Sequence, residues 1–449
     1  MYIIELVSLT PLYKKIKFKS RQIIVIFLIK VGLFFDWPQL AAVAFWLASD
    51  KVNPKSESRY TVLCMGRSVF TDDVDAMARY SGQIKYVTIW RTYFQKVFYY
   101  FIRGHEKTKL TEANYHTHDF CKQGKQNYYL FLNRVFPLLH KLIGFDAVLC
   151  GNFGYLDQQE FEKVCVEGGI AYVVLRKEGL VPAGTEAEWA ETMRTYKFRG
   201  NKVLFYSKGI MNELLKNGFS HLTKDQFQVV GMPRLDEYLQ LGVGKSPKQQ
   251  VVFFSFYPDD KFFCLISDKE RIEQARRRAE DFHKWVINFA FRHPDIKVII
   301  KVKMADHYVE YVEKILQDNY KETINNLEII NVGQVPDLIK NSTVVVSFLS
   351  TTCFLAIAAG KILVTPYFGD LTDRKECDFF VDYPELVNYA KTEAELGRYL
   401  LRSNEGVNYN SPDRNECLEF FLGNYDGRAS SRAEEAILET IKRQSFLGN

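Results

Sequence analysis

Residues 344–366 read VVVSFLSTTCFLAIAAGKILVTP, and this stretch decides the fold. Val344–Ser347 and Ile362–Pro366 are short apolar runs rich in β-branched residues, which is typical of strands that are buried on both faces. The segment 352–360 between them predicts a helix. A strand, a helix and a second strand form a βαβ unit, and such units build parallel sheets. The stretch therefore predicts an α/β protein.

The same alternation of strands and helices extends through both halves of the chain. The C-terminal half has further predicted strands at Val251–Ser255, Lys297–Lys301 and Leu327–Ile330, and predicted helices at 268–292 and 306–320. The N-terminal half has predicted strands at Tyr60–Met65, Ile84–Trp90, Ala147–Cys150 and Ala171–Leu175, and predicted helices at Asp72–Tyr80 and Gln158–Glu167. We therefore expect two Rossmann-like, doubly wound domains that face a central cleft, with ligands at the carboxyl ends of their strands.

Changes in composition indicate where these domains begin and end. The polar stretch Asp50–Arg59 predicts a linker, and Gly242–Gln250 (GVGKSPKQQ) has the Gly, Pro and Ser content of a second linker. The predicted organisation has four parts. They are a basic and apolar segment over 1–50, a first Rossmann-like domain over 51–241, a second over 251–425 and a C-terminal helix over 426–449.

Composition excludes several classes of protein. Of the 449 residues, 47% are hydrophobic and 25% are charged, which excludes a disordered or low-complexity chain. A net charge of +5 is too small to indicate a partner that is a nucleic acid. The eight cysteines are widely spaced without a CxxC pair, which favours reduced thiols in a cytosolic protein. His116 and His118 are the one close histidine pair and have no nearby ligand partner in sequence, so no metal site is predicted.

The N-terminal segment leaves two interpretations open. A basic run (KKIKFKSR, 14–21) precedes an apolar stretch over 23–48 that is interrupted by Lys30, Asp36 and Pro38. Neither half reaches the ~20 apolar residues that a spanning helix needs. Basic residues beside an apolar segment with two tryptophans are typical of an anchor at a membrane surface. The other interpretation is a pair of helices packed on a globular domain.

Two segments at strand ends have the residue types that bind phosphate. In Gly231-Met232-Pro233-Arg234-Leu235-Asp236, Gly231 permits a close backbone approach and Arg234 offers a planar donor fork, although a simple hinge would look similar. Ser350, Thr351 and Thr352 begin the helix that follows Val344–Ser347. Free N–H groups at a helix start form an anion site, although a Ser/Thr cap is common in any helix.

Two further segments supply charged groups at strand ends. Lys301 and Lys303 lie at the end of a strand in the second domain, where an ammonium group reaches either a ligand phosphate or solvent. Glu178 follows the strand Ala171–Leu175 and is a candidate general base. Pairing with Arg176 or Lys177 would instead make this carboxylate structural.

The combination of motifs resembles the GT-B class of glycosyltransferases. The residues that carry the resemblance are the segment Gly231–Asp236, the block Ser350-Thr351-Thr352 with Gly360-Lys361, and GNYDGRASSR over 423–432. Within GT-B, the motifs look like bacterial surface-carbohydrate biosynthesis proteins. Their relatives include capsule-type Kdo transferases and CDP-glycerol glycerophosphotransferases. The matches span roughly residues 170–435.

The resemblance implies transfer of a sugar from a nucleotide-activated donor to a surface glycan or a lipid-linked glycan of capsule, O-antigen or lipopolysaccharide. The nucleotide-sugar is the donor substrate, and neither a metal nor another cofactor is required. Glu178 would be the catalytic carboxylate of an acceptor-binding first domain. The implied donor contacts are Gly231, Arg234, Lys301, Lys303, Ser350, Thr351, Thr352, Asp426 and Arg428. The implied location is cytoplasmic, with the inner face of the cytoplasmic membrane as a peripheral site.

One departure from the GT-B pattern keeps alternatives open. Many GT-B proteins have a glutamate that holds the donor ribose five residues after the first serine of the Ser-Thr block, and here that position is Leu355. The change leaves room for a CMP-linked acidic sugar, or for ribose contacts from elsewhere in the chain. Cytidylyl or phosphoglycerol transfer in place of sugar transfer also remains open. An epimerase or hydrolase of sugar nucleotides shares the G-x-P-x-x-D turn and remains an alternative. A non-catalytic assembly protein with this fold is the third.

Overall fold

The computed structural model describes most of the chain. The described residues are 20–52, 58–66, 68–80, 82–102, 104–177, 180–219, 222–240, 249–256, 268–303, 305–371, 378–402 and 411–447. They form two compact units. The first contains the described residues before 178, Ala187–Arg234 and the described residues from Arg428 onward. The second contains Leu180–Glu186 and the described part of Leu235–Gly427.

The first unit is built around a parallel sheet with helices on its faces. Its elements up to Arg234 are α1 (20–34), α2 (Pro38–Leu47), β1 (Asp50–Val52), β2 (Tyr60–Gly66), α3 (Ser68–Tyr80), β3 (Ile84–Trp90), α4 (Arg91–Phe101), α5 (Lys122–Ile143), β4 (Ala147–Cys150), α6 (Gln159–Glu167), β5 (Ala171–Arg176), α7 (Glu186–Thr192), β6 (Lys202–Phe205), α8 (Gly209–Asn217) and β7 (Phe227–Val229). The strand order is β1-β3-β2-β4-β5-β6-β7, and only β1 is antiparallel to its neighbour among the described strands.

The second unit has the strand order of a Rossmann fold. Its elements are α9 (Leu235–Gln240), β8 (Gln250–Phe254), α10 (Lys269–Arg292), β9 (Lys297–Lys301), α11 (Asp306–Asn319), β10 (Leu327–Ile330), α12 (Val335–Asn341), β11 (Val344–Ser347), α13 (Thr351–Ala358), β12 (Ile362–Pro366), β13 (Asn388–Ala390), α14 (Glu393–Leu400) and α15 (Pro412–Leu422). The order β10-β9-β8-β11-β12-β13 is 3-2-1-4-5-6, and every pairing is parallel.

These two sheets confirm the predicted α/β class with two Rossmann-like units. The strands predicted from apolar runs form where expected because both faces of each sheet are covered. All residues of β4, β5 and β11 are buried, for example. The polar stretch Asp50–Arg59 was wrongly predicted to be linker throughout, because its first residues form β1. This edge strand pairs through its backbone with β3, Asp50 opposite Thr88, and that pairing needs no apolar pattern.

The last helix returns to the first unit. This helix, α16 (Ala429–Leu447), packs on α3 and β5. Its buried Glu434 accepts hydrogen bonds from the backbone N–H groups of Gly82 (3.1 Å) and Gln83 (2.6 Å) and from the Tyr86 hydroxyl (3.2 Å). These bonds satisfy a carboxylate that would be costly to bury alone.

Candidate active site

The switch point of the second sheet lies between β8 and β11. To one side of it the strand order runs β8-β9-β10, and to the other side β11-β12-β13. Ligands of open α/β sheets bind in the crevice at the carboxyl ends of such a strand pair. Here β8 is followed by Ser255 and Phe256, and β11 ends at Ser347 and leads into the Ser350 segment.

Ser350 caps the helix that leaves the switch point. Its Oγ accepts a hydrogen bond from the backbone N–H of Thr352 at 3.2 Å. The hydroxyl of Ser347 donates to the carbonyl of Phe348 at 2.7 Å and lies 3.3 Å from the Ser350 Oγ. Thr351 and Thr352 form the first turn of α13 and are half-buried. The segment thus places the hydroxyl side chains of Ser350, Thr351 and Thr352 at the positive end of a helix, where anions are stabilised.

The two predicted lysines point to different places. Lys301 donates from its Nζ to the carbonyls of Val302 (2.7 Å) and Asn331 (3.2 Å), and Asn331 follows β10. Because β10 lies on the far side of β9 from β11, Lys301 is directed away from the Ser350 cap. The exposed Lys303 has its Nζ 4.7 Å from the centre of the Phe256 ring, and that ring stacks on Phe348 at 5.7 Å. Lys303 is therefore linked to the switch point.

A buried serine–histidine pair supports the same crevice and was missed by sequence reasoning. The Ser255 Oγ lies 2.6 Å from Nε2 of His283, and Nδ1 of that ring lies 2.6 Å from the carbonyl of Ala279. Burial lowers the pKa of His283 to about 4, so the ring is neutral near pH 7. Since the carbonyl can only accept, we assign the ring proton to Nδ1, and the serine hydroxyl donates to Nε2. In sequence this histidine is one residue of a long helix with no motif around it.

Arg234, a predicted donor contact, forms an internal ion pair in the first unit. Only 6% of the residue is exposed, and its Nη1 lies 2.8 Å from Oδ2 of Asp73 on α3. The hydroxyl of Tyr206 donates to the same carboxylate at 2.6 Å and lies 3.1 Å from the guanidinium. Nη2 of Arg234 is buried without a hydrogen-bond partner among the described residues. Gly231 has a φ of +85°, so the turn needs glycine there.

Asp72 lies next to this ion pair and was not identified as functional from the sequence. Crowding by protein atoms raises the pKa of its carboxyl to about 6, and the positive charge of Arg234 limits the rise. The side chain is nevertheless open to solvent. A carboxylate that is accessible and titrates near neutrality suits proton transfer. The available signal was a pair of adjacent acids early in the helix after the first predicted strand.

The C-terminal motif is joined to the Gly231–Arg234 turn. Nε of Arg432 donates to the carbonyl of Val230 at 2.9 Å, and the hydroxyl of Ser430 donates to the carbonyl of Pro233 at 3.4 Å. Asp426 and Arg428, the residues predicted to contact the donor, are both exposed. Asp426 belongs to the second unit and Arg428 to the first. Two of the three motif segments are thus in contact.

The remaining predicted features have simpler positions. Glu178 lies outside the described residues. Leu355 is buried within α13, where it packs in the core. The described part of the chain contains no group of three or more His, Cys, Asp or Glu side chains placed to hold a metal ion. A shallow surface pocket of about 300 Å³ lies between α11 and the end of β10, and no predicted site residue is among its described lining residues.

Comparisons with known proteins add a likeness of fold. No protein-family model and no curated protein sequence matches the chain. A solved structure of a UDP-N-acetylglucosamine 2-epimerase aligns with 85% of this chain and 95% of its own, at 14% identity and a TM-score of 0.47. The Neisseria meningitidis UDP-GlcNAc 2-epimerase bound to UDP-GlcNAc aligns with 85% of this chain and all of its own, at 12% identity and a TM-score of 0.44. For the trehalose 6-phosphate synthase of Burkholderia multivorans the shares are 87% and 98%, with 11% identity and a TM-score of 0.44.

Proposed function

We propose that this protein is a GT-B-type glycosyltransferase that moves a sugar from a nucleotide-activated donor to a bacterial surface-glycan acceptor. The observation that carries the proposal is the Ser350-capped start of α13 at the switch point of a 3-2-1-4-5-6 sheet. It is supported by the resemblance of the three motif segments to surface-carbohydrate proteins. The epimerase alternative rests on the G-x-P-x-x-D turn at Gly231–Asp236, and it shares the same class of nucleotide-sugar substrate.

In this proposal the second unit binds the donor phosphate. The N–H group of Thr351, at the start of α13, and the hydroxyls of Ser350, Thr351 and Thr352 donate hydrogen bonds to phosphate oxygens. Lys303 supplies a positive charge from the end of β9. Negative charge grows on the leaving phosphate as the glycosidic bond breaks, so these donors stabilise the transition state more than the ground state. Asp426 and Arg428 stay predicted donor contacts, whereas Lys301 points away from the Ser350 cap and is given no phosphate contact in this proposal.

The first unit supplies the base and binds the acceptor. A carboxylate takes the proton from the acceptor hydroxyl as its oxygen attacks the anomeric carbon. Asp72 suits this role because it is accessible and has a pKa near neutrality. Arg234 acts as a positioning residue, since it fixes Asp73 beside Asp72 and limits the rise in the Asp72 pKa. Glu178 stays the second candidate base, from its place after β5 in the sequence.

The donor nucleotide is tested by a thermal-shift screen with CMP, CDP, UDP, GDP and dTDP. We expect one base to stabilise the protein selectively, since a ligand that binds only the native state raises its stability by about 2.7 kcal/mol at a hundred times Kd. Cytidine selectivity would agree with Leu355 in place of the ribose-binding glutamate. Uridine selectivity would point to a conventional donor, and NMR of UDP-GlcNAc incubated with the protein then separates epimerisation from transfer.

A matched pair of cap variants locates the site. Ser350→Ala and Ser411→Ala each remove a serine that caps a helix at 3.2 Å, one at α13 and the other at α15. Each should lose about 1 kcal/mol of stability. Only Ser350→Ala should also reduce the nucleotide-induced shift. An equal nucleotide response in both variants, or no shift with any nucleotide, would contradict the proposed donor site.

A further inference from the structure

The first two helices form a hairpin that is fixed to the first unit. The backbone N–H of Trp37 donates to the carbonyl of Gly32 at 2.7 Å and closes the turn between α1 and α2. At the open end, the guanidinium of Arg21 donates to the carbonyls of Leu47 and Ser49, both at 2.7 Å. The hairpin packs through α2 on α5. The hairpin is therefore an ordered part of the first unit.

One side of the hairpin supplies its buried contacts. The side chains of Val25, Ile29 and Leu33 on α1 are at most 8% exposed. On α2 the ring of Phe45 is fully buried and stacks on Phe94 of α4, with 4.5 Å between ring centres. These residues account for the packing of both helices.

The opposite side is apolar as well, and it faces solvent. We call it the hairpin face. Its large exposed apolar side chains are Ile23, Ile24, Phe27, Phe34 and Phe35 on or next to α1, and Trp37, Val43, Trp46 and Leu47 on or next to α2. Phe34 is 76% exposed and Ile23 is 69% exposed. Surface apolar residues are normal when scattered, but this many within a single helical hairpin indicate an interaction surface.

The exposed residues follow helical spacing. Ile23, Phe27 and Phe34 are separated by four and seven positions, so they form one stripe along α1. Val43 and Leu47 are separated by four positions and form a stripe along α2. An ordinary surface helix turns its polar stripe to water, and here both helices turn apolar stripes there. The pattern indicates that this face contacts an apolar partner as well as water.

The charges at the edge of the hairpin face are mainly positive. Its two acidic residues are paired, Asp36 with Arg134 at 2.7 Å and Asp50 with Arg21 at 2.5 Å. Lys30 is exposed on α1 and lies between Phe27 and Phe34 on the same helical stripe, so one positive charge falls within the hairpin face itself. The sequence directly before α1, over 14–19, contributes four lysines and no acidic residue. Anionic lipid surfaces attract such clusters by about 1 kcal/mol per basic residue near the surface.

We propose that the hairpin face docks in the interfacial layer of a membrane that carries anionic lipids. The occupant is a lipid surface, because the face combines exposed aromatic rings with basic flanks. Trp37 and Trp46 lie at the start and near the end of α2, and tryptophan prefers the headgroup region. No helix among the described residues is long and apolar enough to cross a membrane. In the proposal, α1 and α2 lie along the surface with their exposed apolar residues in the interfacial layer. This inference does not depend on the reaction proposed above.

The test is vesicle co-sedimentation of the full chain. Vesicles of phosphatidylcholine alone are compared with vesicles of phosphatidylcholine and phosphatidylglycerol. We expect binding to the anionic vesicles and a loss of about tenfold or more in the double variant Phe27→Gln with Phe34→Gln. Brominated lipids in the same vesicles should quench tryptophan fluorescence, and Trp37→Phe with Trp46→Phe should remove most of that quenching.

The control is Phe291→Gln with Phe420→Gln, two exposed aromatic residues of the second unit (49% and 39% exposed). This variant should bind vesicles as the unmodified protein does. Three outcomes would overturn the proposal. The first is absence of binding to anionic vesicles. The second is an equal loss of binding in Phe27→Gln with Phe34→Gln and in Phe291→Gln with Phe420→Gln. The third is a dimer in solution that binds no vesicles and that Phe27→Gln with Phe34→Gln converts to a monomer.

Discussion

The side chains at the carboxyl ends of the strands differ in kind between the two sheets. In the first unit, Arg234, which follows β7, forms an ion pair with Asp73. Arg91, which follows β3, forms an ion pair with Asp157, and its guanidinium lies 3.6 Å above the Tyr155 ring. In the second unit, the edge at the switch point has serine and threonine hydroxyls, a capped helix start and the neutral ring of His283. One edge is held by buried ion pairs and the other by neutral hydrogen bonds.

The difference separates two tasks that the sequence motifs presented together. A buried arginine with a carboxylate partner holds its neighbours in place, and its charge is already compensated. Hydroxyls and helix N–H groups remain able to donate to an incoming phosphate. In the proposed reaction, anion binding therefore belongs to the second unit, and positioning and proton transfer belong to the first.

The largest effect should come from breaking the buried ion pair. Asp73→Ala leaves the Arg234 guanidinium buried without its carboxylate partner and should cost about 3–5 kcal/mol of unfolding free energy. The control is Asp370→Ala, which breaks the exposed pair with Arg278 in the second unit and should cost at most about 1 kcal/mol. Urea unfolding of both variants measures the contrast. Similar losses would remove the distinction between the two edges.

The next effect concerns proton transfer at Asp72. Asp72→Asn should reduce kcat/KM for transfer by about 10²-fold, because the base is lost while the donor site is intact. Unmodified protein should lose activity as the pH falls through about 6, where the Asp72 carboxyl gains its proton. Asp75→Asn, on the same helix, is the control. It should keep an acid limb, moved to lower pH because the negative charge of Asp75 raises the pKa of Asp72. Full activity in folded Asp72→Asn would return the role of base to Glu178.

The smallest effect, taken over a single pH unit, is a pair of opposite pH dependences. Burial raises the pKa of Glu162 on α6 from 4.5 to about 8, and burial lowers the pKa of His283 from 6.5 to about 4. Between pH 4.5 and 8 the unfolded chain has released the glutamate proton that the folded chain keeps. Folding stability from this group therefore falls as the pH rises, by about 1.4 kcal/mol per unit. Between pH 6.5 and 4 the histidine is protonated in the unfolded chain but stays neutral in the folded chain. The free energy of unfolding therefore falls as the pH drops.

The variants Glu162→Gln and His283→Gln check these signs. Relative to the unmodified protein, Glu162→Gln should gain stability as the pH rises towards 8. His283→Gln should gain it as the pH falls towards 4. Denaturant unfolding across this range gives both slopes. If the stability of both variants, relative to the unmodified protein, changed in the same direction with pH, the predicted opposite pKa shifts of Glu162 and His283 would be wrong.

Sequence reasoning predicted the strands of both sheets better than their edges. Runs such as Ala147–Cys150 and Val344–Ser347 form strands with the predicted bounds, because burial on both faces requires continuous apolar residues. The capping role of Ser350 was also one of the predicted alternatives. β1 was missed, since an edge strand of three residues needs only backbone pairing. The membrane prediction left open which side of the N-terminal helices was apolar and exposed.

The sequence by itself determined the α/β class, the central strands of both parallel sheets and the hydroxyl-rich helix start after β11, but it did not give the bounds of β6, β7 and β13. Each predicted feature depends on residues that are neighbours in the chain. Only the tertiary structure decided that Arg234 lies against Asp73, that Ser255 lies against His283, and that Arg234 and Asp73 are close enough to act on the pKa of Asp72. These pairings join residues far apart in sequence. Burial and charge act on a group through its neighbours in space, so the chain order does not reveal them.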